Sequence, residues 1–323
     1  MKKIIIIVIA LLFSVTTLMQ AQIGMMMGRK EKVLPFISTW VTSAPNESIT
    51  LPLLSSGGQY DFVVDWGDGN IETITTNSAI HNYATASTQT ITISGLINGW
   101  KFNGSGDKDK ITDISQWGCL KGAGNAAFYN CRNLQVSATD IFNTEGITDF
   151  SDQFALCTSL TNLDVSNWDM SSGIEFDYQF YGCQSLTSLN VAGWDVSSGT
   201  DFSSQFQSCN NLTTLDVSGW DVSSGTYFFA QFANCSSLTG LDVSGWDVSS
   251  GTYFGNFMSF GPSMTTPIYN QTLINWKDKL QSSPTFTDID FGGSQYNLAP
   301  NPAAAARADI ETLGWTITDG GGI

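Results

Sequence analysis

The chain has 323 residues, 42% of them hydrophobic and 13% charged, with a formal charge of -16, enough length for two domains or one extended array. No Lys or Arg occurs between Arg132 and Lys277, while Asp and Glu continue throughout. So acidic a stretch excludes nucleic acid and anionic lipid headgroups as partners; it leaves solubility of an exported protein, or attraction to cations or a basic partner.

In chain order, the first element is MKKIIIIVIALLFSVTTLMQAQ, with two lysines, a long apolar run and the small-residue end Met19-Gln20-Ala21-Gln22. This has the three-part form of a secretory signal over 1–21, with cleavage expected after Ala21 and a linker over 22–34. The 25 uncharged residues from Ile4 to Gly28 are also long enough for an uncleaved anchor flanked by Arg29, Lys30 and Lys32. No Cys lies near the run to carry a lipid, and later apolar stretches are too short to span. With the signal removed, the chain is expected to be secreted or held at the cell surface, with no integral membrane span.

Residues 35–97 read as strands and turns. YDFVVDWGDGNIETI alternates apolar residues on either side of the tight-turn pair Asp68-Gly69, and TQTITISGL alternates again. Trp66, Gly67, Asp68 and Gly69, then His81 and Tyr83, resemble the W-G-D-G turn and H-x-Y of PKD-type immunoglobulin-like domains. That resemblance implies a small β-sandwich serving as spacer or ligand platform. Residues 98–149 read as degenerate opening rungs, because Phe128, Cys131 and Leu134 already keep the phase of the regular repeats.

From there the chain copies itself. LDVSGWDVSSGT stands at 215–226 and again at 241–252, and residues 202–227 match 228–253 at nineteen of twenty-six positions. At this period Cys131, Cys157, Cys183, Cys209 and Cys235 share a column, as do Trp168, Trp194, Trp220 and Trp246. Phe150, Phe176, Phe202, Phe228 and Phe254 form another, and Phe128, Phe154, Phe180, Phe206 and Phe232 a further one. A period of this length signals stacked units, each too small to bury its own apolar face. Within one unit, Phe202, Phe206 and Cys209 fall on one face of two helical turns, and Leu212, Leu215, Val217 and Trp220 have leucine-rich-repeat spacing. The expected fold is therefore a leucine-rich-repeat-like solenoid, one short helix and one short parallel strand per rung. It has four regular repeats over 150–253, a β-sandwich-like domain before them, and a last rung with an α/β cap over 254–323. The cap is expected to hold an amphipathic helix carrying Leu273, Trp276 and Leu280, then a second helix and a short strand.

The columns carry the candidate chemistry. The Trp and Cys columns read as interior ladders; the opposing reading of the Trp column is an exposed row that stacks on sugars. The thiols read as buried free fillers, with disulfides between neighbours as the alternative permitted by export. Asp169, Asp195, Asp221 and Asp247 recur at one position, and Asp164, Asp216 and Asp242 at another. Turn capping is the first explanation and calcium bridging the second. Two outward columns vary: Glu175, Asp201, Tyr227 and Tyr253 in one, Asp177, Ser203, Phe229 and Gly255 in the other. Tyr227, Phe229 and Tyr253 are the ligand-contact candidates.

The repeat F-x-x-Q-F-x-x-C-x-x-L-T-x-L-D-V-S-G-W-D-V-S-S-G-T, with the closing segment from IYNQTLINWKDKL onward, resembles BspA-like bacterial surface proteins with 26-residue leucine-rich-like repeats. That resemblance implies adhesion to host proteins, matrix, other cells or glycans, and supplies no defined binding residue. An enzyme is not expected. The single histidine, His81, gives a triad no second member from the strand pattern, no H-E-x-x-H occurs, and NGSGDKDK lacks the ending of a phosphate loop. The carboxylates recur in every unit, whereas an acid and a nucleophile need unlike environments. The expected function is an adhesion or interaction module for a protein or glycan ligand, without cofactor. A structural spacer or coat component, or a viral receptor-binding protein, are the alternatives.

Overall fold

A computed structural model describes residues 33–282 and 284–323. The secretory-signal reading of 1–21 and the anchor reading of 4–28 both lie outside these residues. Among the described residues no helix is long and apolar enough to cross a membrane.

The N-terminal part is a seven-stranded sheet of order β4-β3-β6-β1-β7-β9, with β8 on β6. Its strands are β1 (Phe36–Val41), β3 (Gln59–Asp65), β4 (Ile71–Ile74), β6 (Thr88–Asn98), β7 (Ile111–Gln116), β8 (Leu120–Lys121) and β9 (Gln135–Val136). The period-two alternation sets its inner face: Phe62 and Val64 are buried while Val63, between them, is exposed. β2 (Glu47–Thr50) and β5 (Ile80–Tyr83) form a separate antiparallel pair. The sheet does not stop at residue 97. β7, β8 and β9 extend it, the last two joining in parallel, and the N–H of Phe128 already donates to the carbonyl of Gln153 at 2.9 Å.

The solenoid of helix-plus-strand rungs is corrected by the structure. Among the described residues regular structure is mostly β, 22% strand against 8% helix in mixed sheets, and both helices lie beyond the repeats. Residues 150–253 contain neither helix nor strand, only turns linked by isolated parallel bridges such as Glu175↔Asp201 and Ser188↔Thr214. Two physical causes are visible. In the stretch read as helical, Ser204 (φ 55°) and Ser208 (φ 62°) are left-handed, as are Asp152, Leu156 and Tyr178 in the preceding units, and a right-handed helix admits no such residue. In the stretch read as a strand, the Asp216 carboxylate accepts from the N–H of Ser218 at 3.1 Å, turning the backbone before a strand can extend.

What the period does produce is direct superposition. Phe176, Phe202 and Phe228 stack at 5.4 and 5.5 Å with planes within 9°, and Trp194, Trp220 and Trp246 at 6.1 and 6.4 Å within 8°. The N–H groups of Phe202, Ser204, Phe206 and Ser208 donate in turn to the carbonyls of Tyr227, Phe229, Gln231 and Ala233 on the next level of the stack. Inside runs an amide ladder: Gln179, Gln205 and Gln231, all fully buried, each donate to the glutamine one unit earlier. Beyond it, α1 (Thr266–Trp276) and α2 (Pro302–Thr312) pack with the parallel pair β10 (Asp288–Asp290) and β11 (Thr316–Thr318). Phe254 meets Trp276 and Trp315 there, so the apolar end of the stack is covered.

Candidate ligand surface

The calcium candidates are turn caps. Asp169 and Asp195 each accept from the N–H and the hydroxyl of the serine two residues on, and Asp221 and Asp247 from the N–H of Ser223 and Ser249. Hydrogen bonding from serine holds the carboxyls of Asp169 and Asp221 below the usual range, so they are ionised and already satisfied. The structure does not bring these four residues together as a metal site. The tryptophan column is interior: Trp168, Trp194, Trp220 and Trp246 are at most 5% exposed. Indole nitrogens of Trp194, Trp220 and Trp246 donate to the carbonyls of Val165, Val191 and Val217. Cys131, Cys157, Cys183, Cys209 and Cys235 are free and buried. Burial pushes their thiols up, to about 12 for Cys183 and Cys235, which keeps them protonated and unreactive.

His81 has partners that the strand pattern did not reveal. Its Nε2 lies 2.8 Å from Asp68 Oδ2, Glu72 is 3.9 Å from its Nδ1, and its ring stacks on Trp66 at 5.1 Å. Asp68 also accepts from Asn70, so the contact braces the turn after β3.

The surface that varies from unit to unit is a strip of two adjacent columns. The first runs Asp149, Glu175, Asp201, Tyr227, Tyr253, each joined to the next by a parallel bridge. The second runs Ser151, Asp177, Ser203, Phe229, Gly255. The strip is therefore acidic at one end and aromatic at the other. At the aromatic end Tyr227 is 45% exposed, Phe229 stacks on Tyr253 at 5.0 Å, and Tyr253 meets Phe286 at 4.2 Å. Gly255 makes this possible, since a Cβ there would stand 2.7 Å from Tyr253 Cε2 and 3.3 Å from Phe229 Cδ2. Of the three contact candidates, the structure packs Phe229 and Tyr253 together and leaves Tyr227 open one unit away.

At the acidic end, Glu175, Asp177 and Asp201 offer carboxylate oxygens within 4.8 Å of one another. Burial, then repulsion from Asp201, Asp177 and Asp149, raises the Glu175 carboxyl. Asp152, beside them, is pushed up to about 6 by burial and then by Asp177 and Asp149. Among the described residues none of these five acids makes an ion pair. Sequence reasoning passed over Asp149 and Asp152: Asp149 has the form of the turn caps, accepting from the N–H of Ser151 at 3.0 Å as Asp201 does from Ser203 at 2.8 Å, whereas Asp152 has no serine two positions on, which was the signal available. Their oxygens are partly engaged, since Asp177 accepts from the Ser151 hydroxyl at 2.6 Å and Asp149 and Asp201 from the N–H groups of Ser151 and Ser203, so what the strip offers chemically is uncompensated negative charge at one end and an open aromatic face at the other.

A family model matches this chain, described as "Mycoplasma protein of unknown function, DUF285", over residues 123–237 and 176–287. The two overlapping matches run from 123 to 287, just over half the chain. No curated protein matches, and no solved structure matches.

Proposed function

This chain belongs to the DUF285 family of Mycoplasma proteins of unknown function, and from that premise we propose that it is an exported or surface-held binding module, not an enzyme. One observation carries the reading. Interior columns of Phe, Trp, Cys, Gln and Leu repeat almost unchanged, while the two outward columns change from acid to aromatic along the stack. Packing demands the first, whereas the second accepts acid, serine, aromatic and glycine in turn and leaves Tyr227 45% exposed, so the variation is free to serve a ligand. The ligand is a protein or glycan on a cell or matrix surface, and no cofactor enters. The test is a glycan and protein array probed with the purified chain and with Tyr227→Ala. A ligand captured by the chain and lost with the variant supports the reading; a ligand retained equally by both removes the strip from it.

A further inference from the structure

The tryptophan column breaks at its first member, and a cavity lies at the break. Trp194, Trp220 and Trp246 aim their indole N–H groups at the carbonyl of the residue 29 positions earlier, at 2.9 to 3.0 Å. Trp168 lies parallel to Trp194 within 10°, one unit down the same column, so its N–H has the same heading, toward Thr139. There the hydrogen bond fails. Trp168 is 5% exposed, and its nitrogen is buried without a partner among the described residues. Two departures from the repeat account for this. The column of fully buried Val165, Val191 and Val217 begins with an exposed Thr139. Phe142, which holds the tryptophan position in that opening unit, meets Trp168 at 58° instead of lying flat on it.

Trp168 and Thr139 line one narrow cavity of about 30 Å³, with Asp140, Asp164 and Asn167 around it. A wider cleft of about 300 Å³ shares Ile141 and Asn167 with it and runs on past Asn143 and Glu145. The unpartnered donor thus shares its cavity with acceptors. Asp164 spends only Oδ1, on the hydroxyl and N–H of Ser166 at 2.7 and 3.0 Å, and Oδ2 has no partner among the described residues. Those bonds hold the Asp164 carboxyl below its usual range, so it is ionised and can only accept.

The narrow cavity has the size of about one water molecule, so it admits a single small polar group. That group must accept from the indole and donate to the carboxylate. An ammonium has nothing to accept with; a carboxylate or phosphate has nothing to donate and would stand beside Asp140 and Asp164. A hydroxyl does both without charge. We propose that the slot and cleft bind a neutral hexose residue of a glycan, its hydroxymethyl oxygen accepting from the Trp168 N–H while its hydrogen goes to Asp164. Of a hexose's hydroxyls only this one stands on a free arm, so it can enter the slot while the ring stays in the cleft. Ile141, 60% exposed, meets the C–H face of the ring, and Asn143, Glu145 and Asn167 take further hydroxyls. The site shares no residue with the strip around Tyr227 and stands or falls separately from it.

The experiment labels the tryptophans of the full chain with nitrogen-15 and reads their indole N–H signals. That of Trp168 is the one lost in Trp168→Phe, a variant that keeps an aromatic ring in the stack and forfeits no hydrogen bond. The probes are the methyl glycosides of glucose, galactose and mannose at millimolar concentration, each beside its 6-deoxy counterpart, and the peptide Gly-Ser-Gly. At least one hexoside is expected to shift the Trp168 signal and to bind at least tenfold more tightly than its 6-deoxy form. By saturation-transfer NMR, Trp168→Phe should weaken that hexoside at least tenfold with a melting temperature within a few degrees of the parent. Asp164→Ala, at an exposed position, should weaken it as well and serves if the first variant does not fold. Trp66→Phe, which removes another unpartnered indole far from the cleft, should change binding less than twofold. No response of the Trp168 signal to any of the three hexosides, with magnetisation passing to it from water alone, overturns the proposal and leaves a water site. Equal binding of a hexoside and its 6-deoxy form, or a shift caused by Gly-Ser-Gly and not by the hexosides, overturns it too. None of these outcomes touches the capture lost or kept in Tyr227→Ala, which tests the strip.

Discussion

The sheet and the stack bury the same side chains by different rules. In the N-terminal part each buried tryptophan has a setting of its own: Trp40 on β1 donates to the Ser38 hydroxyl, while Trp66 and Trp100, just past the ends of β3 and β6, have indole nitrogens without a partner. In the stack, the setting of each tryptophan is another copy of itself: Trp220 lies between Trp194 and Trp246, and each nitrogen finds a carbonyl 29 residues earlier. The exception is instructive. Trp168, first of the column, has an unpartnered nitrogen because no regular unit precedes it. Satisfaction in the stack is thus a property of neighbours, and damage should spread to them.

The largest test of that difference is Trp220→Ala, which removes two stacking contacts and strands the carbonyl of Val191. It should destabilise by about 3–5 kcal/mol in chemical denaturation. Trp220→Phe against Trp66→Phe sharpens it: the first orphans a buried carbonyl, while the second removes a donor that had no partner, so the first should cost about 1 kcal/mol more. Next comes the amide ladder. Gln205→Leu leaves Gln179 without its donor and Gln231 without its acceptor, at about 2–3 kcal/mol. Gln231→Leu should cost less, because the Gln231 carbonyl oxygen is already unpaired at the ladder's end.

A third test reads the charge difference between the regions. The Asp152 carboxyl is raised from 3.8 to about 6 in the folded chain, so between about pH 4 and 6 the folded state binds more protons than the unfolded one. Stability should therefore fall as pH rises through that window, and be lower at pH 7 than at pH 5. Asp152→Asn should flatten the dependence and stabilise at neutral pH by on the order of 1 kcal/mol, a figure reduced for the side chain's partial exposure. The smallest effect concerns the backbone. Ser208 is left-handed where Gly182 stands one unit earlier, so Ser208→Gly should stabilise by up to about 1 kcal/mol, seen as a small rise in melting temperature.

Much of this was legible because repetition is legible. The spacing of Phe202, Phe228 and Trp220 placed each residue against its copy without any knowledge of backbone conformation. The period said nothing of what the backbone does between contacts. Phe202, Phe206 and Cys209 fit helical spacing, yet the left-handed Ser204 and Ser208 give the same inward positions by successive turns. Leu212 to Val217 fit strand spacing, yet the Asp216–Ser218 turn leaves a single bridge at Thr214. The alternation over β3 held because β4 and β6 pair with it on both sides, and the apolar spacing over α1 held over eleven residues, long enough to favour one period. The strip was half legible. Tyr227, Phe229 and Tyr253 stood out as variable outward positions, but the convergence of Glu175, Asp177 and Asp201 depends on two columns lying side by side, which a single-period alignment does not display.

The division of labour between a constant interior and a variable strip is tested most directly by giving one unit its predecessor's strip. Tyr227→Asp with Phe229→Ser copies Asp201 and Ser203 one unit on and leaves every interior column untouched. Melting temperature and ligand capture are measured on the same preparation. The account predicts a melting temperature within a few degrees of the parent and capture reduced at least tenfold. Unchanged capture, or loss of the fold with the exchange, would contradict it.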